Sequence, residues 1–395
     1  LVPATTTIRT KFTEFTGTFV IHCHRLNHED NGLMALVNVI PAVSSYAVAV
    51  PGSRGTPARV EVRDGSGDRM LAAVTPFPDF EGTPSVAMAD VNGDNVLDLL
   101  VGTGPGVGPQ VVAYSGADGG RGPFRTELAR FSPLDAGFKG GISVAAADLD
   151  GNAHADNIIV GSGPGTDSRV TVFSSTLPTL GATPEVFSSF TPYPGSRSGV
   201  TLATGTVDVG TGRPSIVTAP GPGEPARIRT FRYDLYTPTE AARARGGTTD
   251  PGRDPAMTAE FDAYDPAYTG GVSLATGWVA GAEGGAQSVI TGQLTGPGEV
   301  RVWSTGSRLD GGPAMYLHSP EHHAAMTEFA QIASFTPFPG QAGVRVATSS
   351  TTTGADLIVS GMGPGGSEVR KYALARPDPA ARTVAPTLLT TLPPL

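Results

Sequence analysis

The chain has 395 residues, of which 53 are Gly and 35 are Pro, with 39% hydrophobic residues and a net charge of −9. So much Gly and Pro excludes long helices, and the hydrophobic share is enough to bury cores over roughly two to three domains' worth of chain. Lysine occurs only at Lys11, Lys139 and Lys371, and no stretch concentrates the basic face that a nucleic-acid partner requires.

The first 40 residues read as strand (Thr7 to Phe12), turn, strand (Gly17 to His22), a His-rich loop and strand (Leu33 to Ile40), with residues 41–45 as a linker. Cys23 is the single cysteine, so no intrachain disulfide is possible and the thiol needs another explanation. The uncharged run from Leu33 to Ser53 is long enough to raise a membrane span, but Asn38, Pro41, Ser44, Ser45 and Pro51-Gly52 interrupt it, and two strands with a linker are expected instead. The chain opens at Leu1 without a basic and apolar leader, which reads as a cut N-terminus.

The string Phe19-Val20-Ile21-His22-Cys23-His24-Arg25-Leu26-Asn27-His28-Glu29 gathers three of the seven histidines around that cysteine. A thiolate beside imidazoles is a ligand set suited to copper. Alternation along a strand sends His22 and His24 to the face opposite Cys23, so that one strand could serve two metal centres. The segment resembles the C-terminal signature of the multicopper oxidases, the laccase family, and the flanking Phe12-Thr13-Glu14-Phe15-Thr16-Gly17 and Glu29-Asp30 look like its bacterial branch. That resemblance implies type 1 copper at Cys23 and His28 with Leu33 at the axial position, trinuclear copper at His22 and His24, and a proton-relay role for Glu29. It also implies an oxidoreductase that takes single electrons from a small reducing substrate and passes them to O2. The further histidines such an enzyme needs do not occur in this chain: His154 falls in a later loop, and His318, His322 and His323 fall in a late insertion. Residues 1–40 are therefore expected to be the C-terminal end of a cupredoxin domain whose remaining ligands lie upstream.

From residue 46 to 395 the sequence repeats. A small-residue strand opens each unit: Ser85-Val86-Ala87-Met88-Ala89, Ile142-Ser143-Val144-Ala145-Ala146, Val200-Thr201-Leu202-Ala203, Val272-Ser273-Leu274-Ala275 and Val344-Arg345-Val346-Ala347. An apolar strand ending in Gly-Pro-Gly follows, as at Gly104-Pro105-Gly106 and Gly163-Pro164-Gly165. Then come an alternating strand such as Val300-Arg301-Val302-Trp303 and a fourth running into an aromatic-proline corner such as Phe190-Thr191-Pro192-Tyr193. Four short strands per unit describe a propeller blade, with the small-residue strand innermost where blades converge on the axis. Five full units and a partial sixth that enters at its second strand (Ala47 to Val50, then Arg59 to Val62) predict an all-β, six-bladed propeller. Seven blades is the alternative count, and an open solenoid the rival architecture.

The loop Asp90-Val91-Asn92-Gly93-Asp94-Asn95-Val96-Leu97-Asp98 carries oxygen side chains at alternate positions, and the carbonyl of Val96 could add another ligand to a calcium ion. The next unit repeats the spacing with Asp148, Asp150, Asn152, the carbonyl of His154, and Asp156. Plain Asx turns are the alternative explanation of both loops. These loops resemble the FG-GAP repeats of integrin-type and bacterial surface propellers, over most of residues 46–395. The resemblance implies a calcium-stiffened binding module with a protein or polysaccharide ligand and an extracytoplasmic location. Two functions are thus expected of the whole protein, a laccase-like oxidation or, alternatively, adhesion and ligand binding without catalysis, with neither a nucleic-acid partner nor a membrane span.

Overall fold

The computed structural model describes residues 17–22, 34–39, 45–65, 69–94, 96–117, 123–149, 157–174, 184–208, 213–233, 255–278, 286–305, 328–351, 354–362, 368–375 and 385–392. Near the N-terminus β1 (Gly17–His22) pairs antiparallel with β2 (Met34–Val39), in a register that sets Gly17 opposite Val39 and His22 opposite Met34. This pair is what the described residues before 45 contain, and no separate cupredoxin domain is identified among them.

The rest is a six-bladed β-propeller. Blade one holds β3 (Ser45–Val50), β4 (Arg59–Asp64) and β5 (Met70–Val74). Blade two holds β6 (Ser85–Ala89), β7 (Asp98–Gly102), β8 (Val111–Tyr114) and β9 (Glu127–Phe131). Blade three holds β10 (Ile142–Ala147), β11 (Asn157–Ser162), β12 (Val170–Phe173) and β13 (Val186–Phe190). Blade four holds β14 (Val200–Gly205), β15 (Ser215–Pro220), β16 (Arg227–Arg232) and β17 (Ala256–Asp262). Blade five holds β18 (Val272–Gly277), β19 (Ser288–Gln293), β20 (Val300–Ser304) and β21 (Ala330–Phe335), and blade six holds β22 (Val344–Thr351), β23 (Gly354–Gly361), β24 (Val369–Ala375) and β25 (Ala385–Leu392).

Every blade is an antiparallel meander, with strands consecutive in the chain bonded to one another. The innermost strands β6, β10, β14, β18 and β22 pack side by side around the axis, and their Ala, Ser and Val content permits that convergence. Each second strand is bonded on both edges, to its inner and third strands, and packs against the inner strand of the next blade, which explains why β7, β11, β15 and β19 are buried along their whole length. Apolar clusters fill the spaces between successive blades, for example Leu100, Val111, Phe131, Val144, Ile158 and Phe173 between blades two and three.

A register shift recurs between the third and fourth strands of all the blades: at Ala113/Tyr114, Val172/Phe173, Thr230/Phe231, Val302/Trp303, Lys371/Tyr372 and, in blade one, Val62/Arg63. A β-bulge at one station per repeat increases the local twist. It also identifies β4 as the third strand of blade one and β3 as the second, as the partial repeat implied. The ring closes where blade six meets blade one. Tyr46 packs with Ile358, Val369 and Leu392, and the Lys371 ammonium pairs with Asp356 at 2.7 Å and donates to the carbonyl of Gly65. Five neighbouring inner strands, with β3 between β22 and β6, close the ring and overturn the open solenoid.

Candidate functional site

The axis of the propeller is a cavity of about 550 Å³, continued by a second of about 340 Å³. Inner-strand residues of blades two to six line it, joined on one side by β3. The Gly-Pro turns of successive blades, including Gly104-Pro105, Gly163-Pro164 and Gly221-Pro222, form one rim. Their amides are used within the fold: the Gly163 N–H donates to Gly141 O at 2.8 Å and the Gly221 N–H to Gly199 O at 3.0 Å. Among the described residues in the wall of the larger cavity Arg345 is the sole charged one, set among small, apolar and hydroxyl side chains. Its guanidinium is open to the cavity yet enclosed by the wall, and this desolvation pulls its pKa below the usual arginine range.

The first carboxylate loop does not gather ligands for a cation. Asp90 Oδ1 accepts from the N–H groups of Gly93 (2.8 Å) and Asp94 (3.1 Å), Asn92 Oδ1 from Asp94 N–H (3.0 Å), and Asp94 Oδ1 from Val96 N–H (2.8 Å). Asp98 is fully buried; its Oδ2 accepts from Val91 N–H at 3.0 Å and its Oδ1 from Gly116 N–H at 2.9 Å. Burial first, and then the charges of Asp94 and Asp90, push the Asp98 carboxyl up to about 7 against the pull of those two amides. The side chains brace Asx turns, so the alternating oxygens are explained by the backbone they hold.

In blade three Asn157 stands where Asp98 stands in blade two, accepting from Leu149 N–H at 2.8 Å and donating to Phe173 O at 3.3 Å. In blade four Ser215 donates to Asp208 at 2.9 Å, and Arg232 pairs with the same carboxylate at 3.2 Å. Of the second expected loop Asp148 is described, while Asp150, Asn152, His154 and Asp156 lie outside the described residues.

Among the described residues there is no group of three or more His, Cys, Asp and Glu that could hold a metal ion. The expected cofactors, calcium and copper, are corrected on this finding, and with them the reading of the chain as a copper-binding oxidoreductase. Cys23, His24, His28, Glu29 and Leu33 lie outside the described residues, as do His318, His322 and His323; of His22 the backbone alone is described.

A feature that sequence reading passed over is an arginine clasp between blades. The Arg229 guanidinium lies 5.0 Å from the Tyr193 ring centre, Arg301 4.8 Å from Tyr264, Arg370 4.5 Å from Phe338 and Arg130 5.8 Å from Phe77. Each aromatic belongs to the proline corner that leads out of the preceding blade. Each Arg also donates to a carbonyl of that corner, Arg301 to Ala263 O at 3.1 Å and Arg130 to Pro76 O at 3.2 Å. Glu299 fixes Arg301 with two bonds, of 2.9 and 3.0 Å, and Glu260, Glu368 and Glu127 hold the other three. The signal available in the sequence was the Arg directly after a branched apolar residue of the third strand, at Ile228-Arg229, Val300-Arg301 and Val369-Arg370.

The multicopper oxidase family model matches residues 1–43, a small part of the chain. No curated protein matches. Among solved structures, a chain of the Chaetomium thermophilum Polycomb Repressive Complex 2 aligns with a TM-score of 0.44 and 12% identity, over 92% of this chain and 73% of that one. A Bacillus licheniformis rhamnogalacturonan lyase aligns at 0.35 and 14%, over 88% and 71%. The exotype rhamnogalacturonan lyase YesX aligns at 0.36 and 13%, over 84% and 66%. At these values the likenesses concern chain path alone. No helix among the described residues is long and apolar enough to cross a membrane.

Proposed function

We propose that this chain is a ligand-binding or adhesion module without a catalytic role, in which the propeller offers its axial cavity to a protein or polysaccharide outside the cytoplasm. The observation that carries the reading is the cavity itself. Its wall draws on every blade, its bulk is uncharged, and one arginine gives it a fixed polar point. Ligand sites are of this kind, concave and mostly apolar with a few placed polar groups. The placement outside the cytoplasm rests on the resemblance of residues 46–395 to surface propellers. The division into residues 1–40, the linker 41–45 and the propeller is part of the same reading, and the pairing of β1 with β2 apart from the blade sheets supports it.

The test is binding of the full chain to arrays of defined polysaccharides and synthetic peptides, beside an Ala87→Trp variant. Ala87 lines both cavities, so the indole obstructs the channel. Specific capture that the variant loses, at an unchanged melting temperature, supports the reading. Capture that ignores the substitution, or the absence of any specific ligand, overturns it.

A further inference from the structure

In blades two to five the second strand is buried along its whole length. The corresponding strand of blade one, β3, is half-exposed at Ser45, Ala47, Val48 and Ala49, and these four residues line the axial cavity. Strand β3 pairs with β4 on one side; on the other, no strand among the described residues is bonded to it, although β22 packs nearby. A strand bonded on one side directs alternate N–H and C=O groups away from its partner, here toward the cavity. The small-residue strand occurs five times in the sequence, and all five copies are already placed as β6, β10, β14, β18 and β22. None of these five is left to set beside β3.

The residue at the second station of the inner strand adds a chemical requirement. Its hydroxyl ties β6 to β10, β10 to β14 and β18 to β22. Ser85 Oγ accepts from Val144 N–H at 3.0 Å, Ser143 Oγ donates to Val200 O at 2.6 Å, and Ser273 Oγ donates to Val344 O and accepts from Val346 N–H, both at 3.2 Å. In blade six the same station, opposite Ser360 as Ser85 is opposite Gly102, is Arg345. Its next inner neighbour would be a strand beside β3. No carboxylate lies in the cavity wall, and Arg345 has no hydrogen-bond or ion-pair partner among the described residues.

We propose that the edge of β3 left unbonded among the described strands and Arg345 form a strand-acceptor site that takes an extended peptide from a partner protein, acidic at its N-terminal end and small or β-branched thereafter. The inference rests on the binding-module reading and names its ligand class. Counting from the bulge, Ala49 corresponds to Gly102, the residue opposite Ser85, so an antiparallel peptide begins opposite Ala49. That is the end at which the second-station residue of the preceding blade touches its neighbour. The carboxylate of the first or second ligand residue therefore meets Arg345, and about five residues complete the strand. Main-chain bonds to β3 supply affinity, and the carboxylate with the narrow lane supplies specificity.

The experiment is fluorescence anisotropy of the full chain with a labelled seven-residue peptide, one Asp followed by alternating Val and Ala. Parallel titrations use the Asp→Asn peptide, a peptide N-methylated on alternate amides, and the Arg345→Gln protein. Saturable binding is expected, weakened at least tenfold by either charge change and lost on N-methylation of the amides facing β3. The two charge changes together should cost no more than one alone, since they remove the same pair. Absence of binding at millimolar peptide, or binding indifferent to both Arg345→Gln and N-methylation, overturns the proposal. So does a concentration-dependent dimer that excludes the peptide, which would assign the edge to a second copy. If the peptide fails while an array ligand is still captured in an Ala87-sensitive manner, the strand-acceptor inference falls and the module reading stands. If both fail, both fall.

Discussion

At the scale of single residues, position in the fold decides what a side chain does. Asp98 and Asp90 belong to one motif, but Asp98 is sealed from water and holds two amides, while Asp90 caps a turn at the surface. Burial raises the folded pKa of Asp98 from 3.8 to about 7, so the folded state binds the proton more tightly than the unfolded chain. Stability therefore falls as pH rises through about 4 to 7 and is flat beyond. A melting-temperature series from pH 4.5 to 8 should show this component, of the order of 1–3 kcal/mol, and Asp98→Asn should remove it. The arginine clasp gives a second prediction. Arg301→Lys keeps the charge but loses the two-point bond to Glu299 and the planar contact with Tyr264, and chemical denaturation should show a loss of about 1–2 kcal/mol. Arg301→Ala should cost more, about 2–4 kcal/mol, because it leaves Glu299 partly buried without its partner. Glu299 is itself held below the usual carboxylate range: burial raises it, but the bonds from Arg301 and Ser334 and the Arg301 charge outweigh burial.

Elements in this fold are joined by turns that only certain residues can form. Gly141, which precedes β10, has φ +78°, and a Cβ there would lie 2.5 Å from the backbone nitrogen of Pro105 in the preceding blade. Gly199 occupies the same station before β14, with φ +90° and a Cβ that would lie 2.8 Å from the carbonyl carbon of Gly163. The Gly-Pro turns are thus the places where one blade is pressed against the next. Gly141→Ala should destabilise by at least about 2 kcal/mol, from positive-φ strain together with a backbone clash. Equilibrium unfolding in urea measures it, and the same substitution at Gly106 (φ +107°), where nothing stands within 4 Å of the added Cβ, should cost less. The difference isolates the interblade contact from the strain.

For the whole molecule, the weak seam is the meeting of blades six and one. From blade two to blade six two inner strands meet across each boundary; between blades six and one a small apolar cluster and Lys371 do the joining. Lys371 is nearly buried, and its ammonium satisfies both Asp356 and the carbonyl of Gly65. Lys371→Met retains the packing of the stem but strands Asp356 beside the seam, at a cost of about 2–4 kcal/mol. Hydrogen exchange should register the loss first in β3, β4 and β23, ahead of global unfolding. Uniform loss of protection across all blades would show instead that the seam is no weaker than its neighbours.

The repeat, its four strands per unit, the count of six blades and the entry of the first blade at its second strand were legible in the sequence. They depend on local alternation and turn chemistry, which each segment carries within itself. The carboxylate loops were legible as loops, and their alternating oxygens fit a cation and an Asx turn equally well on paper. The folded backbone favoured the turns, because the N–H groups at 2.8 to 3.1 Å account for where those oxygens point, and among the described residues no group of three or more His, Cys, Asp and Glu could hold a metal ion. The clasp of Arg301 on Tyr264 and the exposure of β3 likewise required the ring. Both join residues of different blades, and a contact between blades is set by closure of the whole circle rather than by the residues on either side of a peptide bond.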